Sequence, residues 1–400
     1  MRPTLNPVSI AGTICLSLLW AYPSAFFLPV ISGDDSWLAI TASVTLTLLL
    51  GLLVTCFARH ARRIDGTWAV GLPVGALVFS SVLIVPIYLL LAKAGIAGGL
   101  GGDRGQALDI AIERAVSGLY PYAALTYDGG QITPLPGALL LASPARLLLG
   151  DSGLMTAYLI PLAVLVLWRV NRRLAAVVSL ATVLAPAFWA DTLSHGDLVS
   201  TSILGFAVAC GALSSVLNDS RLQLLWAAAL GLVATTRVTS LVVILVVVAV
   251  LAARGFWRSA LSQGVVALGV AVGLVLPVYL INAAEFSPLH TSSFLRGTPG
   301  VALAGMMVGV LLLALFRLPW AHWWAPSQLG LALAILSVGL TTIPVIVDFG
   351  VTTLLTTGYA VTAVVAPVAM LSSVHLKPYV RNPHTPRTQG STDIRNRQSS

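Results

Sequence analysis

The chain has 400 residues, of which 57 % are hydrophobic and only 9 % charged, and its mean hydropathy is +0.93. A soluble protein carries roughly 25 % charged residues, so this composition excludes an ordinary cytosolic enzyme, a disordered chain and a disulfide-stapled secreted domain. A net charge of +8 raises the question of a nucleic-acid partner, which the placement of the charge answers below.

Apolar runs near the length a helix needs to cross a bilayer, roughly 17–25 residues, recur along the whole chain. They fall at about 8–31, 38–58, 68–93, 153–168, 174–190, 198–217, 261–281, 300–316, 328–347 and 351–373. The expected fold class is therefore an all-α polytopic membrane protein with about ten long spans. Its organisation reads as three N-terminal spans over 1–93, an outer loop over 94–152, a helical core over 153–376 and a basic tail over 377–400 without apolar periodicity. Cys15, Cys56 and Cys210 all lie inside apolar runs, which argues against a disulfide framework.

Two stretches break the pattern. Residues 136–149 are too short for a crossing and contain Pro144 and Arg146, so they read as a re-entrant or interfacial helix. Residues 222–253 are too long for one crossing and are interrupted by Thr235-Thr236-Arg237. They read as two short helices meeting near Arg237. With the N-terminus in the cytoplasm, this layout gathers Arg59, Arg62, Arg63, Arg169, Arg172, Arg173, Arg254, Arg258, Arg317 and the basic tail on the inner side. Most acidic residues fall outside. That is the asymmetry the positive-inside rule demands, and it accounts for the excess of positive charge without nucleic acid.

Five polar segments converge on the outer side: Asp34-Asp35-Ser36-Trp37, the loop of about 94–135, Asp191 to Asp197, Asn282 to Pro299 with Glu285, His290 and Arg296, and Asp348-Phe349-Gly350. The second is the most informative. After Asp103-Arg-Gly-Gln106, the spacing of Leu108, Ala111, Ile112 and Ala115 predicts a short amphipathic helix over 104–117, lying on the membrane surface and stopped by Gly118. Asp109 and Glu113 are four apart and share a face. Asp103 followed by Gln106 also fits an N-terminal capping box, and Asp109 with Glu113 also fits a solvated face.

The run GGDRGQALDIAIERAVSGLYPYAALTYDGGQITPLPGALLLASP resembles the first large outer loop of GT-C glycosyltransferases, closest to the bacterial polyprenol-phosphate mannosyltransferase-like branch. The shared pattern is an acidic residue after a span (Asp103), a surface helix, Gly118 with Pro121-Tyr122, and a proline-containing entry into the next apolar segment (Pro134-Leu-Pro136-Gly137). The loop follows the third span here, whereas the family places it after the first. The resemblance implies an enzyme of the bacterial plasma membrane with both termini cytoplasmic and its active site outside. It would move a sugar, mannose or a pentofuranose, from a polyprenyl-phosphate carrier to a glycolipid or polysaccharide acceptor, with inversion. It further implies that Asp103 is the general base, with Asp109 second.

The departing phosphate needs cations or oriented donors. Arg237 is the candidate at membrane depth, with Arg296 completing the phosphate site and His195 able to bond either the phosphate or the acceptor; an ion pair with an outer aspartate is the other reading of Arg237. Asp197, Tyr122 and Glu113 are candidates to contact substrate. No cofactor is expected; Asp34-Asp35 or Asp103 with Asp109 could supply oxygen ligands to a divalent cation, but the transfer does not require one. No Walker loop, GxSxG or dinucleotide fingerprint occurs. A transporter or lipid flippase with Arg237 in its substrate path is the alternative.

Overall fold

The structure is a computed structural model, and it describes residues 41, 45, 49, 67–93, 104–127, 129–193 and 195–290. Eleven α-helices are described, in the order α1 (Thr67–Lys93), α2 (Arg104–Val116), α3 (Pro136–Leu149), α4 (Thr156–Val170), α5 (Arg172–Leu184), α6 (Pro186–Leu193), α7 (Leu198–Leu217), α8 (Gln223–Ala234), α9 (Val242–Ala253), α10 (Trp257–Ile281) and α11 (Ser287–His290). Short 3-10 turns at Ser152–Met155 and Val238–Leu241 lead into α4 and α9. Among the described residues there is no strand, only an isolated bridge between Leu125 and Gln131. Among the described residues four segments are long and apolar enough to cross a membrane: Gly71–Leu90, Ser152–Val170, Leu198–Leu217 and Trp257–Ile281. The expected spans before residue 67 and after 290, with the tail, lie outside the described residues.

α7 is the centre of the bundle and is buried along nearly its whole length, from Leu198 to Val216. α4 packs on one side of it and α8 on another; α1 lies against α4 and α5, and α10 against α8 and α9. α10 buries only a narrow stripe, Ala260, Gln263, Ala267 and Ala271, at helical spacing. Three alanines on that stripe let the neighbouring backbone come close, as small residues do where membrane helices meet.

Local sequence explains where the helices begin and end. Asn171 caps α5, its side chain accepting from the N–H groups of Arg173 (2.9 Å) and Leu174 (3.0 Å). α3 opens with Pro136 in its first turn and ends at Gly150, which adopts a left-handed φ of 84°. The expected break in 222–253 is found: α8 ends at Ala234, Thr235 to Arg237 turn, and α9 follows a 3-10 turn. The expected single helix over 174–190 is instead two. Pro186 offers no N–H and pushes Ala185 into an extended conformation (ψ 114°), so α5 stops and α6 starts afresh.

The helix expected over 104–117 is found as α2. It buries Gly105, Ala107, Leu108, Ala111 and Ile112, while Ala115 is exposed although it shares the predicted stripe. The chain leaves the protein surface at that point: Gly118, with φ 73°, turns it towards Tyr120 and Tyr122.

Candidate functional site

The turn His195-Gly196-Asp197 joins α6 to α7 and organises the polar residues around it. Asp191, at the end of α6, holds the turn from within. Its backbone oxygen accepts from the Gly196 N–H (2.6 Å) and its carboxylate accepts from the Val199 N–H (2.8 Å), in the first turn of α7. Burial pushes the Asp191 carboxyl up to about 6, against the opposing pull of Arg104 and the Val199 N–H. Arg104 Nη1 lies 3.9 Å from Asp191 Oδ1.

Asp197 is fully buried and forms an ion pair with Arg237. Arg237 sits in the break between α8 and α9 and also donates to Thr133 Oγ1 at 3.3 Å. The break is stabilised from the segment that enters α3. The Leu135 N–H donates to the Thr236 carbonyl (3.1 Å) and the Gly137 N–H to the Thr235 carbonyl (3.0 Å). These bonds satisfy backbone groups that the interrupted helix leaves open. Only glycine permits this approach, because a Cβ at position 137 would lie 2.3 Å from Thr235 Oγ1. The proline-flanked entry into α3 is therefore the piece that docks on the Arg237 break.

α2 reaches the same turn from the other side. A Cβ at Gly105 would lie 2.7 Å from His195 Cβ, so the first turn of α2 rests directly on the histidine. Ser152 Oγ donates to the Gly105 carbonyl (3.2 Å), and the Ser152 N–H donates to Asp109 Oδ1 (2.9 Å). Arg146 on α3 donates to Asp109 Oδ2 (3.3 Å) and pairs with Glu113. Asp109 thus braces α2 against the 3-10 turn and α3 with both carboxylate oxygens. Burial raises its carboxyl pKa, which the Ser152 and Arg146 bonds partly offset. Glu113 is exposed.

His195 has a left-handed backbone, φ 59°, which is uncommon outside glycine. Its ring packs edge-on against Tyr88 of α1, with centroids 4.3 Å apart. The Tyr88 hydroxyl donates to Asp151 Oδ2 (2.8 Å) and lies 3.4 Å from His195 Nδ1, which is itself 3.5 Å from Asp151 Oδ2. Asp151 Oδ1 accepts the Gly153 N–H (2.7 Å) and so caps the 3-10 turn.

The structure therefore brings His195, Asp197 and Arg237 into one cluster, with Asp109 and Glu113 in a neighbouring one linked through Ser152 and Gly105. Tyr122 stands apart: it is buried, donates to the Pro134 carbonyl (3.0 Å) and packs on Phe286, shaping the loop beneath α2. Asp103, Arg296, Asp34 and Asp35 lie outside the described residues, and for His290 only the backbone, closing α11, is described. Sequence reasoning missed Tyr88, Asp151, Arg104, Arg146 and Thr133. Asp151 had a signal, an aspartate between two glycines of a turn; Tyr88, inside an apolar run, had none. Among the described residues no group of three His, Cys, Asp or Glu side chains is arranged to hold a metal ion.

No protein-family model, no curated protein and no solved structure matches this chain. The class rests on composition and fold: an all-α protein, in its described part, with four helices fit to cross a membrane and a buried polar cluster where the short helix α2 meets the broken pair α8 and α9.

Proposed function

We propose that the protein is an inverting glycosyltransferase of the GT-C type, with about ten spans in the bacterial plasma membrane, both termini cytoplasmic and its site on the outer face. It takes a sugar, mannose or a pentofuranose, from a polyprenyl-phosphate carrier and passes it to a glycolipid or polysaccharide acceptor. The observation that supports this reading is a junction: the first turn of α2 rests on His195, and the same turn is tied through Asp197 to Arg237. Asp103 precedes Gly105 by two residues in the sequence, and in this reading it acts opposite the Arg237 guanidinium.

In this reading Asp103 takes the proton of the acceptor hydroxyl as its oxygen attacks the anomeric carbon. The carrier phosphate leaves from the opposite side, towards Arg237, with His195 and Arg296 completing its surroundings. Asp197 holds the Arg237 guanidinium in place. No metal is required for this transfer.

The test is incubation of the purified protein with a panel of polyprenyl-phosphate sugars, following release of polyprenyl phosphate. Turnover with one donor, abolished in Asp103→Asn while donor binding survives, supports the reading. Absence of turnover with every donor sinks it and favours a transporter, for which uptake into vesicles is the corresponding assay.

A further inference from the structure

Two buried acceptor atoms in the 195–197 turn call for donors from a ligand. Asp197 is fully buried; Arg237 engages its Oδ1, while Oδ2 has no hydrogen-bond partner among the described residues. His195 Nε2 is likewise buried without a partner. Which hydrogen-bonding role Nε2 plays follows from the other ring nitrogen. Tyr88 has one hydroxyl proton, and it is directed at Asp151 Oδ2 (2.8 Å). The Tyr88 oxygen therefore turns its lone pairs to Nδ1 at 3.4 Å, and the Asp151 carboxylate, 3.5 Å away, is an acceptor too. With acceptors on both sides, the neutral imidazole carries its hydrogen on Nδ1, and Nε2 is left as a bare acceptor.

The geometry points to the His195-Gly196-Asp197 turn as a subsite for the hydroxyl groups of a sugar, which donate to His195 Nε2 and Asp197 Oδ2. A phosphate oxygen is an acceptor and would face two acceptors there; a polyol brings the donors that both atoms lack. Tyr88 and Asp151 are positioning residues that fix the imidazole, and Arg237 holds Asp197 in place through their ion pair. This rests on the glycosyl-transfer reading and reassigns His195 within it, from the carrier phosphate to the sugar.

The test uses the full-length protein labelled with 15N-histidine, in a detergent carrying neither sugar nor phosphate. Of the six histidines, the His195 signals are those lost in His195→Asn. Asparagine tolerates the left-handed backbone at this position and keeps a side-chain donor near the place of Nδ1. The expected result is an unprotonated Nε2 in the neutral ring. Titration with the methyl glycosides of mannose, glucose and arabinofuranose shifts it for at least one of them, and His195→Asn binds that glycoside about tenfold more weakly, the worth of one hydrogen bond. Asp151→Ala, which removes the acceptor that commits the Tyr88 proton, should give mixed tautomers.

A hydrogen on Nε2 in the neutral ring overturns the inference, as does an Nε2 signal that no glycoside moves. So does a response to a dialkyl phosphate alone with proton uptake at His195, which returns the residue to the phosphate. Turnover without any glycoside response sinks the subsite and leaves the enzyme standing. A glycoside response at His195 without turnover on any donor does the reverse.

Discussion

Asp197, at the head of α7, and Arg237, in the break between α8 and α9, form an ion pair buried from solvent on both sides. The pair joins two segments forty residues apart in the chain. Removing one member of such a pair strands a charge in a low-dielectric interior, which costs about 3–5 kcal/mol. Arg237→Met and Asp197→Leu should each lower the thermal unfolding midpoint in detergent sharply. The double variant should recover much of the loss, because two apolar side chains replace two compensating charges. Additive losses in the double variant would show that the two side chains do not act as a pair.

The docking of α3 on the helix break makes a second prediction. A methyl group at Gly137 would meet Thr235 Oγ1 at 2.3 Å and the Leu232 carbonyl at 2.5 Å. The two oxygens are tied to each other, because Thr235 Oγ1 donates to the Leu232 carbonyl (2.7 Å). Gly137→Ala should cost about 1–3 kcal/mol, the range for overpacking a close-packed contact. Gly71→Ala, in α1, is the control: nothing lies within 4 Å of its added Cβ, and alanine is the better helix former by up to about 1 kcal/mol. Equal midpoints for the two variants would contradict the contact.

How much of this was legible in the sequence differs by element. α2 and the break at Arg237 could be read because each carries a local signal: an apolar stripe closed by Gly118, and a charged residue interrupting an overlong apolar run. The division at Ala185 also had its signal, Pro186, but the run of apolar residues around it obscured the stop. The site was only half legible. His195, Asp197 and Arg237 drew notice as ionisable residues near apolar segments, where burial is costly. Their partners Tyr88 and Asp151 come from α1 and from the turn before α4, 107 residues and 44 residues away from His195 by position. Pairing over such separations is set by how helices pack, which hydropathy and spacing do not encode. Asp109 illustrates the converse: its spacing from Glu113 was visible, but not that Arg146 and the Ser152 N–H occupy both of its oxygens.

Asp109 and Asp103 are separated by kinetics. Asp109 braces α2 with both carboxylate oxygens, so Asp109→Ala should lower stability by about 1–3 kcal/mol, the cost of leaving the buried Ser152 N–H unsatisfied. If the proposed transfer holds, this variant keeps measurable turnover at temperatures where it stays folded, whereas Asp103→Asn loses turnover with its unfolding midpoint unchanged. Loss of turnover in Asp109→Asn, with normal stability and donor binding, would instead make Asp109 the base.

Asp191 predicts a pH dependence whose sign follows from burial. Its carboxyl rises from 3.8 to about 6 in the folded protein. The folded state therefore binds this proton more tightly than the unfolded state. Stability contributed by the protonated form is present below about pH 4 and is lost as pH rises through about 6, after which the loss is complete. Arg104, 3.9 Å away, offsets only part of the cost of ionising a buried carboxyl. Asp191→Asn can still accept the Val199 N–H bond that holds the turn but carries no charge to desolvate. Relative to wild type, the variant should gain stability as pH is raised from about 4 to 6 and keep a constant difference above that. Thermal unfolding of both proteins across that range reads the difference directly. A difference that stays flat through the window, or in which the variant loses ground to wild type as pH rises, would mean Asp191 is ionised throughout and held by Arg104 in a salt bridge.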